Sequence, residues 1–230
     1  MLTRSTDRLA QSDVLETELP IAVMTDVETA GASFADDVDG EIWQRRIPER
    51  VSAWLNTLPV ESLPEDRIVL RSEDVAACLI ELFGAKGVGP CPALAWLSED
   101  VCRLANWISV RAQAPFLRMR LEIVTNDACS KFHIDNVVAR MICTYRGPGT
   151  QLATESTLDQ DILSIPTGDP VLLKGKRWPQ STNIPLRHRS PPIAGTGLTR
   201  WLLVLEGCDR AEWMPEYDRP YRDLNLPEPK

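Results

Sequence analysis

The sequence predicts an α+β domain, with N-terminal helices packed on an antiparallel β-sandwich or jelly roll. Three observations predict it. Apolar residues recur at helical spacing as far as Ile108. From Phe116 onward the period drops to two. The strand-like runs that follow are short and separated by Pro- and Gly-rich turns. A chain of 230 residues, 43% hydrophobic and 25% charged, is long enough to bury a core without disulfides or metal staples.

Residues 1–40 carry nine acids, two arginines, no lysine and one aromatic residue, Phe34. That composition predicts a poorly ordered acidic arm. The main domain is expected over residues 41–215. Its first helix carries Val51, Trp54, Leu55 and Leu58 on one stripe, its second Val75, Cys78, Leu79 and Leu82, and its third Val101, Leu104, Ala105 and Ile108. Ser72 before Glu73-Asp74 and Ser98 before Glu99-Asp100 read as N-caps. Gly84 and Gly87 end the second helix, and Pro115 stops the third.

In the next segment Leu117, Met119, Leu121 and Ile123 alternate with Arg118, Arg120, Glu122 and Val124, the pattern of a half-buried strand. Further strands are expected over Val137–Tyr145, Val171–Lys174 and Trp201–Leu205. Residues 216–230 are Pro-rich and charged and are expected as a tail that wraps the surface.

Composition excludes several functions. Thirty-three acids against 25 basic residues give a net charge of -8, which argues against nucleic-acid binding by bulk electrostatics. No apolar run is long enough to span a membrane. The first 25 residues lack the basic start and apolar block of a secretory signal. The six cysteines include no CxxC pair and are expected as reduced thiols in a cytoplasmic protein.

The chain has only two histidines. His133 opens His133-Ile134-Asp135, and alternation in an extended segment places residues i and i+2 on one face. His188 follows a second extended segment. Two imidazoles and one carboxylate make the facial triad that holds non-haem iron(II) and leaves three coordination positions open, whereas a structural zinc prefers four protein ligands. Arg200 lies twelve positions after His188, across a loop containing Pro191, Pro192, Gly195 and Gly197. A hairpin there would set the arginine strand beside the histidine strand, where a guanidinium can grip a carboxylate that also chelates the metal. The same residues equally fit two ordinary histidines and an arginine paired with an acid.

The runs Lys131-Phe132-His133-Ile134-Asp135, Cys143-Thr144-Tyr145-Arg146-Gly147-Pro148-Gly149-Thr150 and His188-Arg189-Ser190-Pro191-Pro192 resemble an uncharacterised bacterial family of the domain-of-unknown-function kind, over about residues 42 to 206. More distantly, the order of His133 and Asp135, Arg140, Tyr145, a Gly-rich turn, Gly168-Asp169, His188 and Arg200 resembles prolyl-hydroxylase-like oxygenases. That resemblance implies a double-stranded β-helix, iron(II) and 2-oxoglutarate. It implies that His133, Asp135 and His188 bind metal, and that Arg200, with Thr144 or Tyr145, binds the cosubstrate. Arg140 enters as a catalytic residue or as the partner of Asp135. The chain departs from the oxygenase pattern at Arg146-Gly147-Pro148-Gly149-Thr150 and at Pro170.

The implied activity is hydroxylation of a small molecule, peptide or protein. The alternative is a non-catalytic zinc- or iron-binding or sensing protein on the same fold.

Overall fold

The computed structural model describes residues 19–26, 34–35, 37–156, 161–179, 183–209 and 218–221. Three α-helices and eleven strands are present among these residues. Strands β1 (Ile21–Met24), β2 (Gly40–Trp43), β3 (Asp66–Leu70), β4 (Phe116–Val124), β5 (Ala139–Arg146), β8 (Val171–Lys174), β10 (Arg200–Cys208) and β11 (Arg219–Pro220) build one large mixed sheet. Its order is β1-β2-β8-β5-β10-β4-β3-β11. Strands β6 (Gln151–Ala153), β7 (Leu163–Ser164) and β9 (Arg187–Arg189) form a small antiparallel sheet in the order β7-β6-β9.

The helices are α1 (Glu49–Thr57), α2 (Val75–Ala85) and α3 (Pro92–Ala112). Each buries its apolar stripe, with Val51 and Leu55, Val75, Cys78 and Leu79, and Val101, Leu104 and Ile108 all inside. Strand β10 is buried along its whole length because both of its faces are covered. Trp201, Leu203 and Leu205 join the helix-side core, together with Met141 and Cys143 of β5. Leu202 and Val204 point the other way, into a second core with Ile142, Leu152, Ile165 and Leu186. The molecule therefore has three layers: helices, large sheet and small sheet. The candidate site lies between the two sheets.

Several sequence expectations change. The acidic arm is not uniformly loose. Its described part includes β1, which pairs in parallel with β2, and Leu19, Ile21 and Phe34 are buried. Residues 1–18 and 27–33 lie outside the described residues. The described part of the tail docks through β11 on β3, and the buried Asp218 accepts hydrogen bonds from Arg67 and Arg118.

Ser98 is no cap. Helix α3 starts at Pro92, with Cys91 Sγ accepting from the Leu94 amide, and Ser98 Oγ donates to the Leu94 carbonyl inside the helix. Ser72 begins a 3₁₀ turn, Ser72–Asp74, that leads into α2 without a side-chain cap.

The hairpin expected between His188 and Arg200 does not form. Strand β9 pairs with β6 in the small sheet, whereas β10 lies between β4 and β5 in the large one. The segment between them crosses from one sheet to the other.

Candidate metal centre

His133 and His188 face each other across an isolated antiparallel bridge. Each amide donates to the other residue's carbonyl at 3.0 Å. A directly opposed pair projects its side chains to the same face, and the two ring centroids are 4.5 Å apart. Asp135, two residues on in extended chain, shares that face. Ligand atoms of His133, Asp135 and His188 all lie within 4.8 Å of one another.

Asp135 is fixed from both ends. Its carbonyl accepts from the Lys176 amide at 2.9 Å, and its carboxylate pairs with Arg140. Close approach of the chain at Gly175 makes the first contact possible. A Cβ there would lie 2.1 Å from the Val137 carbonyl oxygen, which is backbone and cannot swing aside. Gly175→Ala is therefore expected to lower stability by about 3 kcal/mol or more, read as a shift in the urea midpoint, and to weaken metal binding by displacing the Asp135 segment.

The donor set fits a metal. His133 Nδ1 lies 2.8 Å from the Lys131 carbonyl, which can only accept, so the ring proton sits on Nδ1 and Nε2 presents its lone pair. His188 Nε2 lies 3.0 Å from Asp135 Oδ2, yet that oxygen is buried without a hydrogen-bond partner among the described residues. Two ligands each about 2.1 Å from one ion and at right angles would be about 3.0 Å apart. His133 Nε2 lies 3.5 Å from Asp135 Oδ1. The spacing is that of ligands around a common cation.

Electrostatics favour the ligand forms of two of the three. Burial alone would raise the Asp135 carboxyl, but the imidazoles of His133 and His188 and the Arg140 guanidinium together hold it well below the usual carboxylate range. Burial pushes His188 down, toward the neutral ring a metal needs. Asp135 pulls His133 up, so the metal-free site retains a proton there to a higher pH.

Arg200 is 0% exposed. Its Nε donates to the Pro148 carbonyl at 2.7 Å, one terminal nitrogen to Ser190 Oγ at 2.7 Å and the other to Thr144 Oγ1 at 3.2 Å. All three acceptors are neutral, and among the described residues no carboxylate reaches ion-pair distance of this guanidinium. Burial pushes its pKa down to about 10, with Glu122 only partly opposing. Arg200 and Thr144 are thus neighbours. Ser190, which joins them, lines a cavity of about 140 Å³ together with His133, Asp135 and His188.

Tyr145 is not at the site. It lies on the helix side of β5, fully buried, and its hydroxyl donates to Asp100 Oδ2 at 2.6 Å. Asp100 of α3 also receives Arg45 and Arg103. The physical reason is the strand period, which sends Thr144 and its neighbour to opposite faces. Tyr145→Phe is expected to cost about 1–2 kcal/mol of stability, measured by denaturant unfolding, with metal content unchanged.

Arg140 faces the site and bridges Asp135 and Glu206. Sequence reasoning missed Glu206 and Arg120. Arg120 and Glu122 line the 140 Å³ cavity, and Arg118, Arg120 and Arg140 all contact Glu206. The signal was the polar face of β4, whose alternation reads equally well as a solvent face.

A family model described as Protein of unknown function (DUF1826) matches residues 25–206. The chain belongs to the DUF1826 family. No curated protein matches this DUF1826 chain in sequence. Among solved structures, a dioxygenase for auxin oxidation from rice is 12% identical over 89% of this chain and 91% of its own, with a TM-score of 0.50. The 2-oxoglutarate complex of dioxygenase for auxin oxidation 1 from Arabidopsis thaliana is 8% identical over 91% of this chain and 100% of its own, at 0.48. The rice likeness is one of fold: the DUF1826 domain has helices packed on a double-stranded β-helix, or jelly roll. Among the described residues no helix is long and apolar enough to cross a membrane.

Proposed function

We propose that this protein is a non-haem iron(II)/2-oxoglutarate-dependent oxygenase that hydroxylates an organic substrate. His133, Asp135 and His188 would hold the metal, and Arg200 the distal carboxylate of the cosubstrate, with Thr144 beside it. Iron(II) with 2-oxoglutarate and dioxygen supplies the oxidising chemistry when bound.

The observation that carries the reading is a buried guanidinium without a counter-ion in the interior that also holds the three converging donors. A buried charge is costly unless paired, so such a position is prepared for an anion. Ser190 and Thr144 are neutral partners that a carboxylate can replace. The chain's own part is to orient. Lys131 fixes the His133 tautomer, Arg140 holds Asp135, and complete burial keeps water from Arg200.

Anaerobic titration with iron(II) and 2-oxoglutarate tests this. The expected result is the visible charge-transfer band of a chelated keto acid, lost in His188→Ala. Tight zinc binding with no response to 2-oxoglutarate would favour the metal-binding or sensing alternative.

A further inference from the structure

A second and larger cavity, of about 680 Å³, opens beside the triad at the end of the large sheet. Among the described residues its wall carries five arginines: Arg67, Arg118, Arg120, Arg140 and Arg177. Two carboxylates, Glu206 and Asp209, share it. In a chain of net charge -8 that concentration of guanidinium is selective. Two of the arginines, Arg120 and Arg140, also line the 140 Å³ cavity that holds the histidines, so the two spaces share a wall.

The hydrogen bonding of Arg120 and Arg140 is incomplete. Glu206 is shared by Arg118, Arg120 and Arg140, whose further carboxylate partners are Asp218, Glu122 and Asp135. A guanidinium offers five N–H donors, and these ion pairs engage the terminal nitrogens of Arg120 and Arg140 and leave the Nε of each over. Arg120 Nε and Arg140 Nε are both buried and without a partner among the described residues. Buried donors left unmade are unfavourable, and an anion entering the cavity would supply the missing acceptors. Arg140 reaches from this cavity to Asp135, which places an anion bound there next to the triad.

We propose that the arginine-lined cavity binds the substrate through an anionic headgroup, a carboxylate or a phosphate, and so presents the rest of the molecule to the metal centre. The orientation toward the metal rests on the oxygenase reading, whereas the anion site itself does not. Arg177 is exposed at the rim, where its charge draws the anion in, and Arg120 and Arg140 supply donors at depth.

Calorimetric titration of the full, metal-free chain with phenyl phosphate and with benzoate tests this and tells the two headgroups apart. At least one should bind saturably. That binding should survive Arg200→Ala, which separates it from the cosubstrate arginine, and should weaken about tenfold in Arg120→Gln and in Arg177→Gln. Arg177 is on an exposed turn, so its variant carries the test even if Arg120→Gln fails to fold. Saturable binding of neither anion would overturn the proposal, as would binding abolished by Arg200→Ala but indifferent to Arg177→Gln. Because the assay contains no iron and no 2-oxoglutarate, its outcome is independent of the charge-transfer experiment.

Discussion

Asp135→Asn should lower iron(II) affinity by more than about 100-fold, beyond the range seen when only the partner of a ligand is removed. The exchange keeps size and shape, so the loss reports charge and donor strength. Asp135 is the only carboxylate of the three-donor cluster, and Arg140 holds it while both imidazoles converge on it. Chelator competition and metal content after dialysis would read the effect. Wild-type affinity in this variant would sink the metal assignment.

Stability of the metal-free protein should follow pH with a definite sign. The carboxyl is depressed in the fold, so its contribution is present above the ordinary range near 4 and is lost as pH falls through the folded value. The variant should therefore be less stable than the parent at neutral pH, by about 1–3 kcal/mol, and the gap should close in acid.

Arg200→Met should separate the cosubstrate from the metal. Affinity for 2-oxoglutarate should fall about 100-fold or more, the equivalent of losing a bidentate, charge-assisted contact, while iron binding stays. The second half of the expectation is less usual: the Tm of the metal-free variant should not drop. The parent keeps a fully buried cation with neutral partners only, and its pKa is pushed down to about 10. A cation whose folded pKa is depressed opposes folding in full below that folded value, and the opposition fades only as pH rises beyond it toward the ordinary arginine range. Met fills much the same volume and removes the charge, which offsets the lost bonds to Pro148, Ser190 and Thr144. Thermal unfolding at neutral pH measures this. A large loss of Tm would mean that Arg200 is a structural residue and not a reserved anion site.

Much of this was legible in the residues. Helical spacing marked all three helices, and alternation marked β4, because those periods follow from burial of one face. His133 and Asp135 were legible as a pair because i, i+2 geometry is local. Short strands such as β1, β6 and β9 were not, since two to four residues carry too little period and their pairing is set by distant partners. The sheet that β10 joins was equally hidden. A Pro- and Gly-rich loop is as compatible with a crossover as with a hairpin. Tyr145 was misassigned for a related reason: motif order says nothing about which side of β5 a residue faces, and one position decides between the helix core and the site. The arginines around Glu206 were overlooked because a polar strand face looks the same whether it meets water or an enclosed cavity.

The three donors straddle two layers. His188 on β9 and His133 bridged to it stand at the edge of the small sheet, while Asp135 lies on the chain that runs on from there into β5 of the large one. An ion held by all three would act as a rivet through the sandwich, adding its binding energy to the cohesion of the two leaves. Amide hydrogens along β6 and β9 would then exchange more slowly in the loaded protein, and starvation for the metal would loosen the barrel along that seam before any other part gave way.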